Sequence, residues 1–361
     1  MNTKRGLLLS VCIVAVTCGV PDARADFTLG EAVHLGPTIN PAGCPNLSAD
    51  GLELYFASYH TSGYGDADLW VSKRANEEDP WGEPVDLGAG VNSSFAELFS
   101  TISQDGLSLY FCSTRLGGFG AADLWMTNRK TKDDGWGTPV NLGPTINSAA
   151  DEHQPSLSAD GCTLLWCSSR PGGCGGIDIW MAKRATKNDP WGAAENVGAP
   201  VNSSADDARP NLSSDGLALF FRSSRPGTFG GADLWLATRT TAHDAWKEPI
   251  HLGAPVNTPS WECGPSISHD GLTLYFHSNR PGGYGPYDIW KVPITPITDI
   301  NADGIIDIAD LIVLIESWGQ ADPCCDIGPM PWGDGKVDIE DLKVFMTYYE
   351  KANPSRANED N

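Results

Sequence analysis

Beyond its first 25 residues the chain has no apolar run approaching the length of about 20 that a membrane-spanning helix needs. Basic residues are scarce: 24 Lys and Arg stand against 46 Asp and Glu, a formal charge of −22, which argues against nucleic acid as a partner. The ten cysteines lack the close spacing of a small disulfide-rich domain. Also missing are a Ser-His-Asp order, a nucleophile elbow, a phosphate-binding glycine loop and a zinc-ligand spacing.

What the chain does have is one phrase of 55 residues, given five times. Its clearest word is Asp-aliphatic-Trp, at Asp68-Leu69-Trp70, Asp123-Leu124-Trp125, Asp178-Ile179-Trp180, Asp233-Leu234-Trp235 and Asp288-Ile289-Trp290. The same interval separates the Asp-Gly pairs that begin at 50, 105, 160, 215 and 270, Trp81, Trp136, Trp191 and Trp246, and Arg115, Arg170, Arg225 and Arg280. A fixed period of this length marks a repeat architecture.

In the third copy, residues 154–158 form a short extended run, Asp160-Gly161 is a hairpin-turn signal, and Cys162–Ser168 is a second strand. The Gly-rich run from Arg170 to Gly176 turns the chain again, residues 177–182 make a third strand, and a fourth lies near residues 195–198. Four short antiparallel strands make a blade that can bury its faces only between neighbours, so the array must close. The fifth copy stops near Lys291 without a fourth strand, while residues 30–36 read like residues 82–88. The N-terminus therefore supplies the missing outer strand and removes unpaired edges. The expected fold is all-β: a five-bladed propeller over 26–291.

The Pro-x-Leu-Ser-x-Asp-Gly, Tyr-Phe-x-Ser-x-Arg-Pro-Gly-Gly and Asp-Ile-Trp words resemble the WD-like propeller family that includes the periplasmic Tol-system propeller, over roughly residues 27 to 292. The resemblance implies the fold and leaves function to the site.

Residues 1–25 read as a secretory signal: Lys4 and Arg5 precede an apolar stretch, and Ala23-Arg24-Ala25 is a cleavage site. Its removal takes away three basic residues and one acidic residue, leaving −24. An exported protein, extracellular or on the cell surface, is expected, with a monomeric propeller. Export permits disulfides, and Cys44 and Cys263 could staple blades one and five.

Residues 292–298 read as a stiff linker, 299–350 as a second module and 351–361 as a tail. The loop from Asp299 to Asp310 has calcium-ligand spacing, with Asp299, Asn301, Asp303, the carbonyl of Ile305, Asp307 and Asp310 as ligands, and an apolar-faced helix follows. The pattern returns with Asp334, Lys336, Asp338 and Asp341. There a first ligand must come from Asp326 across an inserted Gly-Pro-Met-Pro segment, or else the site is degraded. Two loop-helix units with Asp at position 12 resemble the dockerin type I module, which implies calcium as cofactor and a cohesin-like or other exported protein as partner. The Ser-Thr pair of that family is replaced by Ile308-Ala309 and Ile339-Glu340, so partner identity does not carry over.

Strand alternation puts the Arg-Pro-Gly-Gly loops and the heads of the innermost strands on one face, around the channel mouth. Glu97, Glu152, Asp207 and Glu262 recur there, as do the four arginines, whereas blade one has no acid and carries His60. Acid and Arg are expected to pair between neighbouring blades. Ligand contacts are expected where the blades differ: Phe99, His153, Gln154, Arg209 and Trp261 at the strand heads, and Tyr64, Phe119, Phe229 and Tyr284 in the loops. The Trp of each Asp-aliphatic-Trp word is expected in the core. The reading reached from sequence is a secreted, non-catalytic binding protein whose propeller recognises a carbohydrate or protein ligand and whose calcium module tethers it. Alternatives are a glycoside hydrolase using Glu97, Glu152, Asp207 and Glu262 as carboxylates, and a protein-interaction scaffold.

Overall fold

The computed structural model describes residues 27–58 and 63–354. The signal sequence, His60 and the end of the tail lie outside the described residues.

The repeat folds into five antiparallel blades. From the channel outward, blade 1 is Gly43–Leu47, Glu53–Ser58, Asp68–Lys73 and Val85–Asp86. Blades 2 to 4 repeat this order from innermost strands Glu97–Ile102, Glu152–Leu157 and Asp207–Leu212. Blade 5 has Glu262–Ile267, Thr273–Ser278 and Asp288–Pro296, and its outermost strand is Val33–His34, paired Val33 to Lys291 and His34 to Trp290. The N-terminus closes the ring as its sequence suggests.

Each Asp-Gly turn places its glycine at φ between 69° and 74°, a left-handed conformation that a side chain would strain. The Asp beside it folds its carboxylate over the turn: Asp50 accepts from the Ser48 hydroxyl and the Leu52 N–H. The blades join through apolar layers such as Tyr55, Leu69, Val71, Leu109, Phe111 and Trp125 between blades 1 and 2. Near the channel, side-chain oxygens on one innermost strand accept N–H groups of the next: Asn46 from Ile102, Ser156 from Leu212, Asn211 from Ile267 and Ser266 from Leu47.

The segment read as a linker is largely strand. Residues 292–296 continue blade 5 and pair with Phe27–Leu29, because Val292 and Ile294 alternate inward at 0% and 2% exposure and hold the extension on the core. Helices α1 (Ile308–Glu316) and α2 (Ile339–Ala352) then pack over Leu314, Cys325, Ile327, Val337 and Phe345. This small unit rests on the propeller face opposite the channel mouth. Trp332 enters the core of blades 4 and 5, stacks edge-on against Phe220 and donates its indole N–H to Asp215 at 3.0 Å. Among the described residues no helix is long and apolar enough to cross a membrane.

Candidate functional site

The four repeated acids are structural anchors. Glu97, Glu152, Asp207 and Glu262 are fully buried and pair with Arg115, Arg170, Arg225 and Arg280 at 3.0, 2.8, 2.7 and 3.2 Å. Each pair lies within one blade, 18 residues apart, which corrects the expectation of pairing between blades. The reason is the hairpin: the acid heads the innermost strand and the Arg follows the second strand, at the same end of the same pair. The interblade link comes instead from the guanidinium, which also donates to the carbonyl of Val91, Ile146, Val201 or Val256 in the preceding connection. Each carboxylate further accepts a nearby backbone N–H and two hydroxyls, as Glu152 does from Ser148 and Ser168. The Arg lies over the Trp of its blade, 5.2 Å from the Trp180 ring in blade 3. Asp68, Asp123, Asp178, Asp233 and Asp288 hold the glycine-rich loops by accepting their N–H groups, for example those of Tyr64 and Gly65.

The channel itself is built where the repeat stops repeating. Every innermost strand carries a β-bulge at the same place, and Cys44, Phe99, Gln154, Arg209 and Gly264 there have φ of 58°, 53°, 44°, 59° and 57°. A bulge bends the strand and re-aims its side chain. These five form one ring, and Arg209 crosses it, lying 4.0 Å from the Phe99 ring and donating to Gln154 Oε1 at 3.3 Å. A second ring comes from residues paired across the bulge: Ala57, Cys112, Cys167, Arg222 and His277 on second strands, opposite Gly43, Leu98, His153, Ala208 and Cys263. Burial and the charges of Arg209 and Arg222 push the His277 imidazole down to about 3, and its Nδ1 accepts the Cys44 N–H at 3.1 Å. His153 is pushed down by burial and by Arg209, and its Nδ1 lies 3.3 Å from Cys112 Sγ. Burial pushes the Cys44 thiol up to about 12. Cys44 and Cys263 are both unbonded, so the suggested staple is not formed.

Above these rings, at the residue before each repeated acid, stand Ala96, Asp151, Asp206 and Trp261. Trp261 is 38% exposed and lies 5.1 Å from the Arg222 guanidinium. Asp206 accepts the Ile177 N–H at 3.1 Å, whereas Asp151 accepts no hydrogen bond among the described residues, and neither forms an ion pair. The sequence reading missed both because they sit beside the repeated acid in the pairs Asp151-Glu152 and Asp206-Asp207. The available signal was that this position differs from blade to blade.

The loop aromatics lie elsewhere. Phe229 meets His251 edge to face, and Tyr284 lies tilted against His34, at 4.6 and 4.9 Å between ring centres. Both histidines belong to outermost strands. Phe229 and Tyr284 are thus at the rim of the disc, and Tyr64 and Phe119 hold the equivalent loop position, so these four do not share the channel mouth with His153, Arg209 and Trp261.

In the C-terminal unit the two loops have the same internal wiring. Asp299 accepts from Asp303 and Gly304, and Asp326 from Asp334 and Gly335. Buried Asp310 accepts from Asn301 and Asp307, and buried Asp341 from Ile327, Gly328 and Asp338. Ala302 at φ 58° matches Gly333 at 68°, and Gly304 at 89° matches Gly335 at 91°. The second loop therefore starts at Asp326, with Pro329-Met330-Pro331-Trp332 inserted. Burial pushes the Asp326 carboxyl up to about 6. Lys336 reaches Asp338 at 3.5 Å, and Asp307 and Asp338 cap α1 and α2. The oxygen-rich donor set suits calcium, although among the described residues no three acidic, His or Cys side chains converge as a ready cage.

No protein-family model matches the chain, and no curated protein matches it. Solved structures do. TolB of Acinetobacter baumannii is 15% identical with a TM-score of 0.43 over 70% of this chain, which spans about half, 54%, of that protein. A putative TolB of Agrobacterium tumefaciens is 18% identical, TM-score 0.45, covering 75% of this chain and 86% of that one. The catalytic domain of a Coprinopsis cinerea family GH62 α-L-arabinofuranosidase is 12% identical, TM-score 0.50, covering 74% of this chain and 98% of that domain. At these identities the likeness is one of fold. The chain is a five-bladed propeller with TolB-type neighbours, and the expectation of a non-catalytic binding protein is not upheld: a glycosidase catalytic domain is among the structures that share its fold.

Proposed function

We propose that the protein is a glycoside hydrolase whose active site is the channel mouth of the propeller. The observation that carries this is the division of labour among carboxylates: the four repeated acids are consumed by ion pairs, while Asp151 and Asp206, each just before the innermost strand of one of two adjacent blades, have no ion-pair partner. Glycosidases need two carboxyl groups in unlike settings, one donating a proton to the leaving oxygen and one acting as base or nucleophile. Asp206 is held by the Ile177 N–H and Asp151 accepts no hydrogen bond among the described residues, so the two carboxyl groups sit in unlike settings and supply the pair. Exposed Trp261 supplies a face on which a sugar ring stacks. Glu97, Glu152, Asp207 and Glu262 hold the blades and leave the chemistry to others.

The fold shared with an arabinofuranosidase domain supports polysaccharide as the substrate class. The C-terminal unit acts as a dockerin-like, calcium-binding module on an exported enzyme, holding it to a protein partner; its paired Asp-rich loops and capped helices support this. Asp299, Asn301, Asp303, Asp307 and Asp310 would hold one ion and Asp326, Asp334, Asp338 and Asp341 the other. The test is turnover. Asp151→Asn and Asp206→Asn each lower kcat on a hydrolysed polysaccharide roughly 100-fold or more, with unfolding midpoints near wild type. Full activity in both variants overturns the assignment.

A further inference from the structure

We propose that the channel carries a carboxylate-recognition subsite formed by Arg209 and Arg222, so that the sugar bound there is a uronic acid. This rests on the hydrolase reading for the position of the scissile sugar and shares its Trp261 face, but the charged groups it invokes are separate from the proposed catalytic pair. The protein carries 22 more acidic than basic residues, and its other propeller arginines are accounted for. Arg115, Arg170, Arg225 and Arg280 pair with the repeated acids, and Arg129 pairs with Glu53. Arg74, Arg184 and Arg239 lie over Trp81, Trp191 and Trp246 and donate to the carbonyls of Gly51, Gly161 and Gly216.

Arg209 and Arg222 have no such settlement. Neither meets a carboxylate within ion-pair distance among the described residues. Arg209 has one side-chain acceptor, Gln154, and the buried Nε of Arg222 has none. Both are half-buried, and unsatisfied donors on a charged group are costly to bury. The neighbouring histidines supply no anion; burial and the arginine charges lower the pKa of both His277 and His153. A planar guanidinium presents a fork that fits a carboxylate through two hydrogen bonds. Here two guanidiniums from blade 4 line one channel: Arg222 pairs in register with Ala208, next to Arg209, and the head of Arg209 reaches over Phe99 while that of Arg222 lies over Trp261. Trp261, stacked on Arg222, places a sugar-binding face beside them. A sugar lying on Trp261 with a carboxylate toward the channel would satisfy the stranded donors.

The test measures binding of two probes by calorimetry: tetragalacturonate and glucuronic-acid-substituted xylo-oligosaccharide, each against its carboxyl-reduced form. The inference predicts that at least one acidic probe binds, and that its reduced form binds at least tenfold more weakly. Arg222→Gln, with its fold checked by circular dichroism, abolishes that preference, and Arg222→Lys restores part of it. Equal binding of acidic and reduced probes, binding of neither acidic probe, or stronger binding of a sulfated oligosaccharide overturns the subsite. Turnover separates this from the parent reading. Uronate binding without hydrolysis supports the subsite and sinks the hydrolase, whereas hydrolysis of neutral glycans alone does the reverse.

Discussion

Glu152→Gln separates a structural acid from a catalytic one. The Glu152 carboxylate is fully buried and accepts from the Ser148 N–H, the Ser148 and Ser168 hydroxyls and Arg170 at 2.8 to 2.9 Å, the Ser148 hydroxyl being closer at 2.6 Å. Gln keeps the shape but turns an amide NH2 toward donors and removes the charge that balances an arginine side chain only 11% exposed. Breaking one side of a buried ion pair costs about 3–5 kcal/mol. Contacts of Arg170 with the Ile146 carbonyl and the Trp166 and Trp180 rings place the loss near the lower end, at about 3 kcal/mol. Denaturant unfolding followed by Trp fluorescence reads this as a lower midpoint, and a double-mutant cycle with Arg170→Gln isolates the pair. Turnover per folded molecule is expected to stay within a few-fold of wild type. A stability change under about 1 kcal/mol together with lost turnover would refute the reasoning and return Glu152 to the catalytic list.

Three further outcomes are expected. Trp332→Ala empties an aromatic slot in the core of blades 4 and 5 and costs about 3–5 kcal/mol, and limited proteolysis should then release the C-terminal unit faster than from wild type. His277 is held near 3 in the fold against an ordinary value of 6.5, so the unfolded chain takes up its proton first on acidification. Stability from this group is complete above about 6.5 and is lost as pH falls toward 3, and His277→Asn should flatten that part of the midpoint-against-pH curve. Calcium at a hundred times its dissociation constant stabilises the C-terminal unit by about 2.7 kcal/mol, seen as a rise in its Tm that Asp299→Ala reduces.

The blades and their closure were legible because a 55-residue period allows one architecture and because residues 30–36 read as the missing outer strand. Some repeated devices were equally visible in spelling yet opaque in role. Asn92, Asn147, Asn202 and Asn257 recur at the same interval, and each clamps the third strand of the preceding blade through both N–H and C=O, as Asn92 does at Leu69. Arg74, Arg129, Arg184 and Arg239 hold the Asp-Gly turns under a Trp lid. The channel rings were harder, because a bulge at Phe99, Gln154 and Arg209 leaves no glycine to announce its positive φ. Strand alternation without the bulge could not say which varied residues meet. The insertion at Pro329–Trp332 reads as damage to a calcium loop when only ligands are counted. Its packing against the core of blades 4 and 5 shows a wedge instead, which sequence spacing cannot express.

The most direct test of the account is reducing-end release from a panel of neutral and acidic polysaccharides by residues 26–361 in calcium, alongside the double variant Asp151→Asn/Asp206→Asn. The account predicts release from at least one polysaccharide by the wild type and none by the double variant. Release by neither protein, or equal release by both, would contradict it.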